Sequence, residues 1–424
     1  MWYPSLKRVF EEHCKPADSP QQRMAGAYRF VERFRRDLGL TTTKYGRPTI
    51  REAQMRPGEF SLRGLAESLV SYEWAESLGR AQAASFRVFE AGGNPAIAPG
   101  NIPNVSAFLG SIAGLLDAAI LESYEVPEFI IDTLIPAIPS KTRQKSLIGV
   151  GRIGDQAERR NPGDGHQFAQ FRDRKVLTSE TYQDALAGAV TFEAVFFDQT
   201  DQVLEQMNGI GNELALRKEL DGFKLIAGVT NPYNYNGTAY DTYLTSGYWI
   251  NDVENELNDW TDVNVVNAMF GRMTDQETAN RIAVQWDMIL CSPTKQLTAQ
   301  YIQAATEIET RTASGAQVRH APRLGDVKKV VSSPYLDQVL TTASTAGGLG
   351  LTQAQADQYW WSLRTDAKKS AFVRPENWPV QINRARPDDY EMLNRKLLLA
   401  VFCDQMHSFD VREPRYVIRN KNES

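Results

Sequence analysis

The sequence predicts a mixed α+β protein built of more than one lobe, and three observations carry that reading. Apolar residues recur at helical spacing twice: Met24, Tyr28, Val31, Phe34 and Leu38 early, and Phe196, Thr200, Val203, Met207, Ile210 and Leu214 in the middle. Strand-like runs gather late, with Ile282, Val284 and Trp286 alternating before Met288–Leu290, then Leu397–Cys403 and Arg415–Ile418. The 424 residues exceed one core of ordinary size, and no internal repeat divides them.

Composition narrows the class. With 42% hydrophobic and 23% charged residues, wholesale disorder is excluded. A net charge of −5 excludes a uniformly basic nucleic-acid binder but leaves room for a local basic face. Cys14, Cys291 and Cys403 lie far apart without metal-ligand spacing and read as reduced thiols; His13, His166, His320 and His407 are equally scattered. No signal peptide is expected, because Met1–Phe10 has no apolar core. No membrane span is expected either, because Ala107–Leu121 is short and holds Asp117.

Six segments follow in order. Residues 1–90 are expected to be a helical extension: Leu62, Leu65, Leu69 and Tyr72 resume the stripe after Pro57-Gly58, and Lys and Arg outnumber Asp and Glu by 15 to 11. Residues 91–140 contain no Lys or Arg and six prolines, which predicts an extended apolar arm with a helix-compatible window at 105–122. Such an arm has no core of its own and must lie on its own body or on a neighbour.

Residues 141–190 are expected to form a long polar hairpin. Nine basic residues face four acids over 141–175, Glu158–Gly165 is turn-forming, and Ser146–Val150 and Gln167–Phe171 are its arms. Residues 191–232 carry a strut helix over 196–227, roughly 48 Å long at 1.5 Å per residue. Its second stripe (Leu216, Leu220, Phe223, Ala227) is shifted in phase, and Gly209 and Gly211 sit where a bend is cheap.

Residues 233–370 are a mixed lobe that opens on an acidic, aromatic stretch. Leu225–Gly271 has no Lys or Arg but holds Asp241, Asp252, Glu254, Glu256, Asp259 and Asp262. Its acids either meet the basic hairpin across subunits or cap a solvated loop layer over an aromatic core. Ser292 is placed as an N-cap and Pro293 as the first residue of a helix with Leu297, Tyr301, Ala305 and Ile308 on one face. Val327–Val331 reads as a strand and Thr341–Gly350 as a loop. Residues 371–424 bring the last strands back to the body.

Motifs for chemistry are lacking. Gly149-Val150-Gly151-Arg152-Ile153-Gly154 fits the dinucleotide pattern, but no buried strand leads into it and Asp155–Gly165 cannot open a helix, so its glycines are assigned to the hairpin. No phosphate loop, nucleophile elbow or zinc-protease helix is present. No catalytic, cofactor-binding or metal-ligating residue is therefore predicted, and the protein is not expected to be an enzyme.

This order of parts resembles the major capsid proteins of tailed phages with the Hong Kong 97-type fold. Several stretches carry the resemblance: Phe270–Asp275 leading through Arg281–Pro293 to Leu297-Thr298-Ala299 and Ala304-Ala305-Thr306; Val330–Leu336; Trp360–Leu363 with Lys368 and Phe372; and Phe409–Arg419, where Glu413 stands for a common Asp. It covers roughly residues 95–424. In the family, the position of residues 1–90 holds either a scaffolding segment that is removed or a retained extension, and retention is expected here. The resemblance implies an N-arm (91–140), an E-loop (141–190), a P domain with spine helix (191–232), an A domain (233–370) and returning strands (371–424).

It also implies pentamers and hexamers closing into an icosahedral shell, assembled in the host cytoplasm and found in the virion. Double-stranded DNA inside would be touched through phosphates only. Portal, scaffolding and decoration proteins are the further partners, with no cofactor and no membrane. Inter-subunit contacts are assigned to Arg152, Arg159, Arg160, Arg172 and Arg174 of the hairpin and to Ile102, Phe108, Leu115 and Phe129 of the arm. Lys141, Lys145 and Lys175 lie near the hairpin, but no motif selects one for a covalent crosslink. The alternatives are an encapsulin-like compartment and another virion component such as a portal.

Overall fold

The computed structural model describes residues 3–15, 20–42, 48–50, 55–69, 102–126, 128–148, 175–247, 249–275, 280–282, 284–304, 308–311, 317–320, 329–366, 369–385 and 396–422. Helices in chain order are α1 (Tyr3–His13), α2 (Pro20–Asp37), α3 (Leu62–Leu69), α4 (Ile102–Tyr124), α5 (Ile131–Leu134), α6 (Phe192–Phe196), α7 (Thr200–Ala227), α8 (Trp260–Arg272), α9 (Gln296–Ala304), α10 (Pro334–Thr341) and α11 (Gln353–Ala356). The chain divides into two compact units. Unit 1 is Met1–Val126, Gln183–Leu216 and Trp378–Met406; unit 2 is Pro127–Tyr182, Arg217–Asn377 and His407–Ser424.

Unit 1 is organised around α4. The expected extended arm is here a helix of 23 residues. Pro103 falls in its first turn, where a missing N–H costs nothing, and no other proline interrupts it. Ala107, Phe108, Ile112, Leu115, Leu116 and Ile120 are all buried, so the helix is apolar on every side and belongs inside a core. Its one buried carboxylate, Asp117, accepts from Arg35 of α2 at 3.0 Å and from Arg384. Burial, with Arg35 nearby, lowers the Arg384 guanidinium to about 10.

The expected strut helix is divided. α6 ends at Phe196, Asp198 adopts a left-handed φ of 51°, and α7 begins at Thr200. The Asp198 carboxylate accepts from Ser61 Oγ and Thr200 Oγ1, both at 2.7 Å, which holds the break. The unit 1 parts of three long strands lie side by side, with Leu397–His407 between Phe372–Ala385 and Tyr182–Thr191.

Unit 2 holds a five-stranded mixed sheet in the order Lys329–Ser332, Met288–Cys291, Trp360–Leu363, Val417–Lys421, Asp252–Glu254. Met288–Cys291 runs parallel to Lys329–Ser332 and antiparallel to Trp360–Leu363. Its four residues are all buried, as a strand covered on both faces requires. The strand expected from Ile282 to Leu290 is confined to Met288–Leu290 and extends one residue further, to Cys291. Ser292 receives the Thr294 N–H and opens a 3₁₀ turn that runs into α9, as its sequence predicts. The closing strand is Val417–Lys421, entered through a 3₁₀ turn at Pro414–Tyr416.

The aromatic stretch is core. Tyr233 packs edge-on against Trp249 at 5.6 Å, and Phe270 stacks on Trp286 at 6.1 Å. At α5, Glu219 of α7 accepts the Ile130 and Ile131 N–H groups at 3.0 and 2.9 Å. Neighbouring Asp132 pairs with Lys218 at 2.8 Å and with Arg374; burial raises its pKa, but the two cations outweigh that and hold it below its ordinary value. Burial puts Glu219 at about 6, against an ordinary 4.5.

A carboxyl whose folded pKa is raised stabilises most when protonated, below pH 4.5, and that contribution is lost as pH rises through about 6. The difference corresponds to about 2 kcal/mol. Urea unfolding of wild type and Glu219→Gln at pH 4.5 and 7 should differ in pH slope by that amount; identical slopes would refute it.

Candidate assembly surfaces

Ser146–Ile148 and Lys175–Leu177 pair antiparallel with Leu147 opposite Val176, and Lys175–Leu177 pairs in turn with Asn234–Tyr235. Leu147 and Val176 are buried, whereas Ile148 is 84% exposed. This is the root of the expected hairpin, anchored on one face in unit 2. Its second arm is Lys175–Leu177; the expected arm Gln167–Phe171 lies outside the described residues. Arg152, Arg159, Arg160, Arg172 and Arg174 lie outside them too. At the root, Lys145 Nζ donates to the Pro139 carbonyl at 2.7 Å, and Arg143 pairs with Glu180 at 3.0 Å.

α9 shows a different face from the one expected. Ala299 and Ile302 turn inward, while Leu297 is 68% and Tyr301 78% exposed. Within the described residues the stripe keeps only Leu297 and Tyr301 on the helix, both outward: α9 ends at Ala304, and Ile308 begins the strand Ile308–Arg311. One turn apart, Leu297 and Tyr301 form an apolar ridge on the outside.

Three acids of the acidic block pair or cap within the chain, and a fourth, Glu256, accepts from Asn258 and Asn422. Asp252 is buried and pairs with Arg419 at 2.9 Å and Lys421 at 3.5 Å. Asp259 and Asp262 form a capping box at the start of α8. That leaves less charge to meet basic hairpins across subunits than the composition suggests. In unit 1 a cleft of about 380 Å³ is lined by Glu59, Glu122, Asp201 and Glu205 beside Arg56. Among the described residues no cluster of His, Cys, Asp or Glu could hold a metal ion.

Residues 180–390, which begin just after the hairpin's returning strand and run through α7 to the strand Phe372–Ala385, match the family described as phage capsid protein. The chain is a phage capsid protein. Its place is the capsid of the virion. No curated protein sequence matches it. Among solved structures, the capsid of cyanophage P-SCSP1u is similar at 13% identity and TM-score 0.42, over 69% of this chain and 86% of that one. A virus-like particle from Pyrococcus furiosus is similar at 9% identity and TM-score 0.39, over 72% and 97%. The capsid of a native GTA particle follows at 10% identity and TM-score 0.41, over 71% and 91%. The assignment rests on the family match and not on these distant likenesses.

In this capsid protein two of the arm residues assigned to neighbours are placed otherwise. Phe108 and Leu115 are fully buried in their own unit, so they cannot strap onto another subunit. Ile102 opens α4, with its side chain outside the described residues. Phe129 is half-buried and stacks on Tyr335 at 5.7 Å within unit 2. Spacing places Leu297 and Tyr301 on one face of α9, and that face points outward. The signal that separates the faces is the second pair, Ala299 and Ile302, three residues apart on the same short helix.

Proposed function

We propose that this capsid protein is the major head subunit, closing through pentamers and hexamers into an icosahedral shell around double-stranded DNA, and that its role is structural, without a catalytic step. The family match carries this reading. Rings of five and six form from heterologous contacts, and many modest contacts per subunit make the closed shell stable. The hairpin rooted at Ser146–Ile148 and Lys175–Leu177 serves as the E-loop, α7 as the spine, and the five-stranded sheet as the heart of the A domain.

Electron microscopy of the protein co-expressed with the neighbouring phage genes tests the reading. Closed shells containing DNA support it. Shells loaded with a protein cargo and no DNA would indicate an encapsulin-like compartment, and isolated rings of one fixed size a portal.

The ridge on α9 belongs to a contact between subunits. Burying an apolar side chain of this size is worth about 1.5–3 kcal/mol. Leu297→Asp with Tyr301→Ser should therefore reduce the assembled fraction at least about tenfold while leaving the circular dichroism of the subunit unchanged. Normal shells from that variant would exclude the ridge from the interface. Arg159→Glu with Arg160→Glu should likewise impair assembly through the hairpin and leave the subunit folded, as sedimentation would show.

A further inference from the structure

The N-terminal helices lie outside the family match, and their packing tells what they do. Phe10, Phe30, Phe34, Leu38, Phe60, Leu62 and Leu65 are buried in unit 1. They form a continuous aromatic ladder: Phe10 to Phe30 at 5.4 Å, Phe30 to Phe34 at 6.3 Å, Phe34 to Phe60 at 5.4 Å. α4, the wall they pack on, is long and apolar enough along Ala107–Tyr124 to cross a membrane by length and composition, and most of that stretch is buried.

The fit between the two is specific. A Cβ at Gly110 of α4 would stand 2.7 Å from Val31 Cγ2, and one at Gly114 would stand 3.2 Å from Arg35 Cγ. Both glycines let α2 lie against α4. Polar ties hold the same layer: Arg35 to buried Asp117 of α4 at 3.0 Å, and, at the start of α7, the Leu62 N–H to Thr200 Oγ1 at 2.8 Å and Ser61 Oγ to Asp198 at 2.7 Å. Without α1–α3, α4 would turn a broad apolar face to water, a surface that soluble proteins rarely expose.

We infer that α1–α3 are a permanent wall of the assembled subunit, retained in the finished shell as the cover of α4, and not a segment that assembly discards. The inference rests on the shell-forming reading, and two measurements keep the two apart. In shells assembled with the neighbouring phage genes, peptides from Leu6–Leu69 should occur at the same stoichiometry as peptides from unit 2. Intact shells that lack them would overturn the inference while leaving the shell reading standing.

The second measurement needs no shell. Gly110→Val in the full chain drives a branched side chain into the stiff Val31 and should lower the melting temperature by about 5 °C. Val31→Ala in the same chain should restore most of that loss. No loss from Gly110→Val, or no rescue by Val31→Ala, would overturn the inference whether or not shells form.

Discussion

Replacing Arg415 with methionine should destabilise unit 2 by about 3–5 kcal/mol, because it leaves two buried carboxylates without their cation. The Arg415 side chain is 4% exposed, with Glu413 at 1% and Asp275 at 3%. Its guanidinium donates to Glu413 through Nε at 2.6 Å and Nη2 at 2.8 Å, and to Asp275 through Nη1 at 3.1 Å. The fork on Glu413 is the bidentate geometry that gives Arg–carboxylate pairs their strength. Burial works against the Arg415 charge, but the two carboxylates outweigh it and leave its pKa raised.

The triad sits just before the closing strand, which pairs with the central strand Trp360–Leu363, so its loss strikes an inner strand of the sheet. Urea unfolding followed by tryptophan fluorescence reads it directly, since Trp249, Trp286, Trp360 and Trp361 are all buried in unit 2. The loss should shrink at acid pH, where the abandoned carboxylates can take up protons. A change below about 1 kcal/mol at pH 7 would mean the triad contributes no more than a surface pair.

The second large effect concerns two glycines of one helix. Gly209 and Gly211 are indistinguishable by composition, yet a Cβ at Gly209 meets nothing within 4 Å, while one at Gly211 would strike the Ile120 carbonyl and Ser123 Oγ of α4. Backbone cannot swing aside as a side chain can, so in Gly211→Ala the two helices must part. That should cost unit 1 about 2–3 kcal/mol, after the better helix propensity of alanine has offset part of it. Gly209→Ala should instead stabilise by about 0.5–1 kcal/mol. Denaturant midpoints of the two variants should move in opposite directions. A gain in both would show that α4 and α7 do not approach at Gly211.

Local chemistry was legible wherever one residue and its near neighbours decide the outcome. Ser292-Pro293 opens its turn because a hydroxyl and a fixed φ act within three residues. The early stripe was read nearly in place, with Phe30 buried where Tyr28 was expected and Tyr28 65% exposed. The window at 105–122 was recognised as helix-compatible, but proline count favoured an extended arm. Of the six prolines, Pro136 and Pro139 follow α4 within the described residues, and Pro103 sits where a helix tolerates it. The strut helix was found but not its break, because the break depends on Ser61, far away in sequence.

The sequence by itself determined the α+β class, the order of helical extension, hairpin root, long helix and closing strands, and the capsid resemblance. Only the tertiary structure decided that Phe108 and Leu115 face their own chain, that Gly211 is a point of contact, that three acids of the acidic block cap or pair internally, and that Leu297 and Tyr301 face outward. The reason is common to all four. Periodicity marks which residues share a face, but whether that face meets a helix, a strand or water depends on chain segments tens to hundreds of residues away.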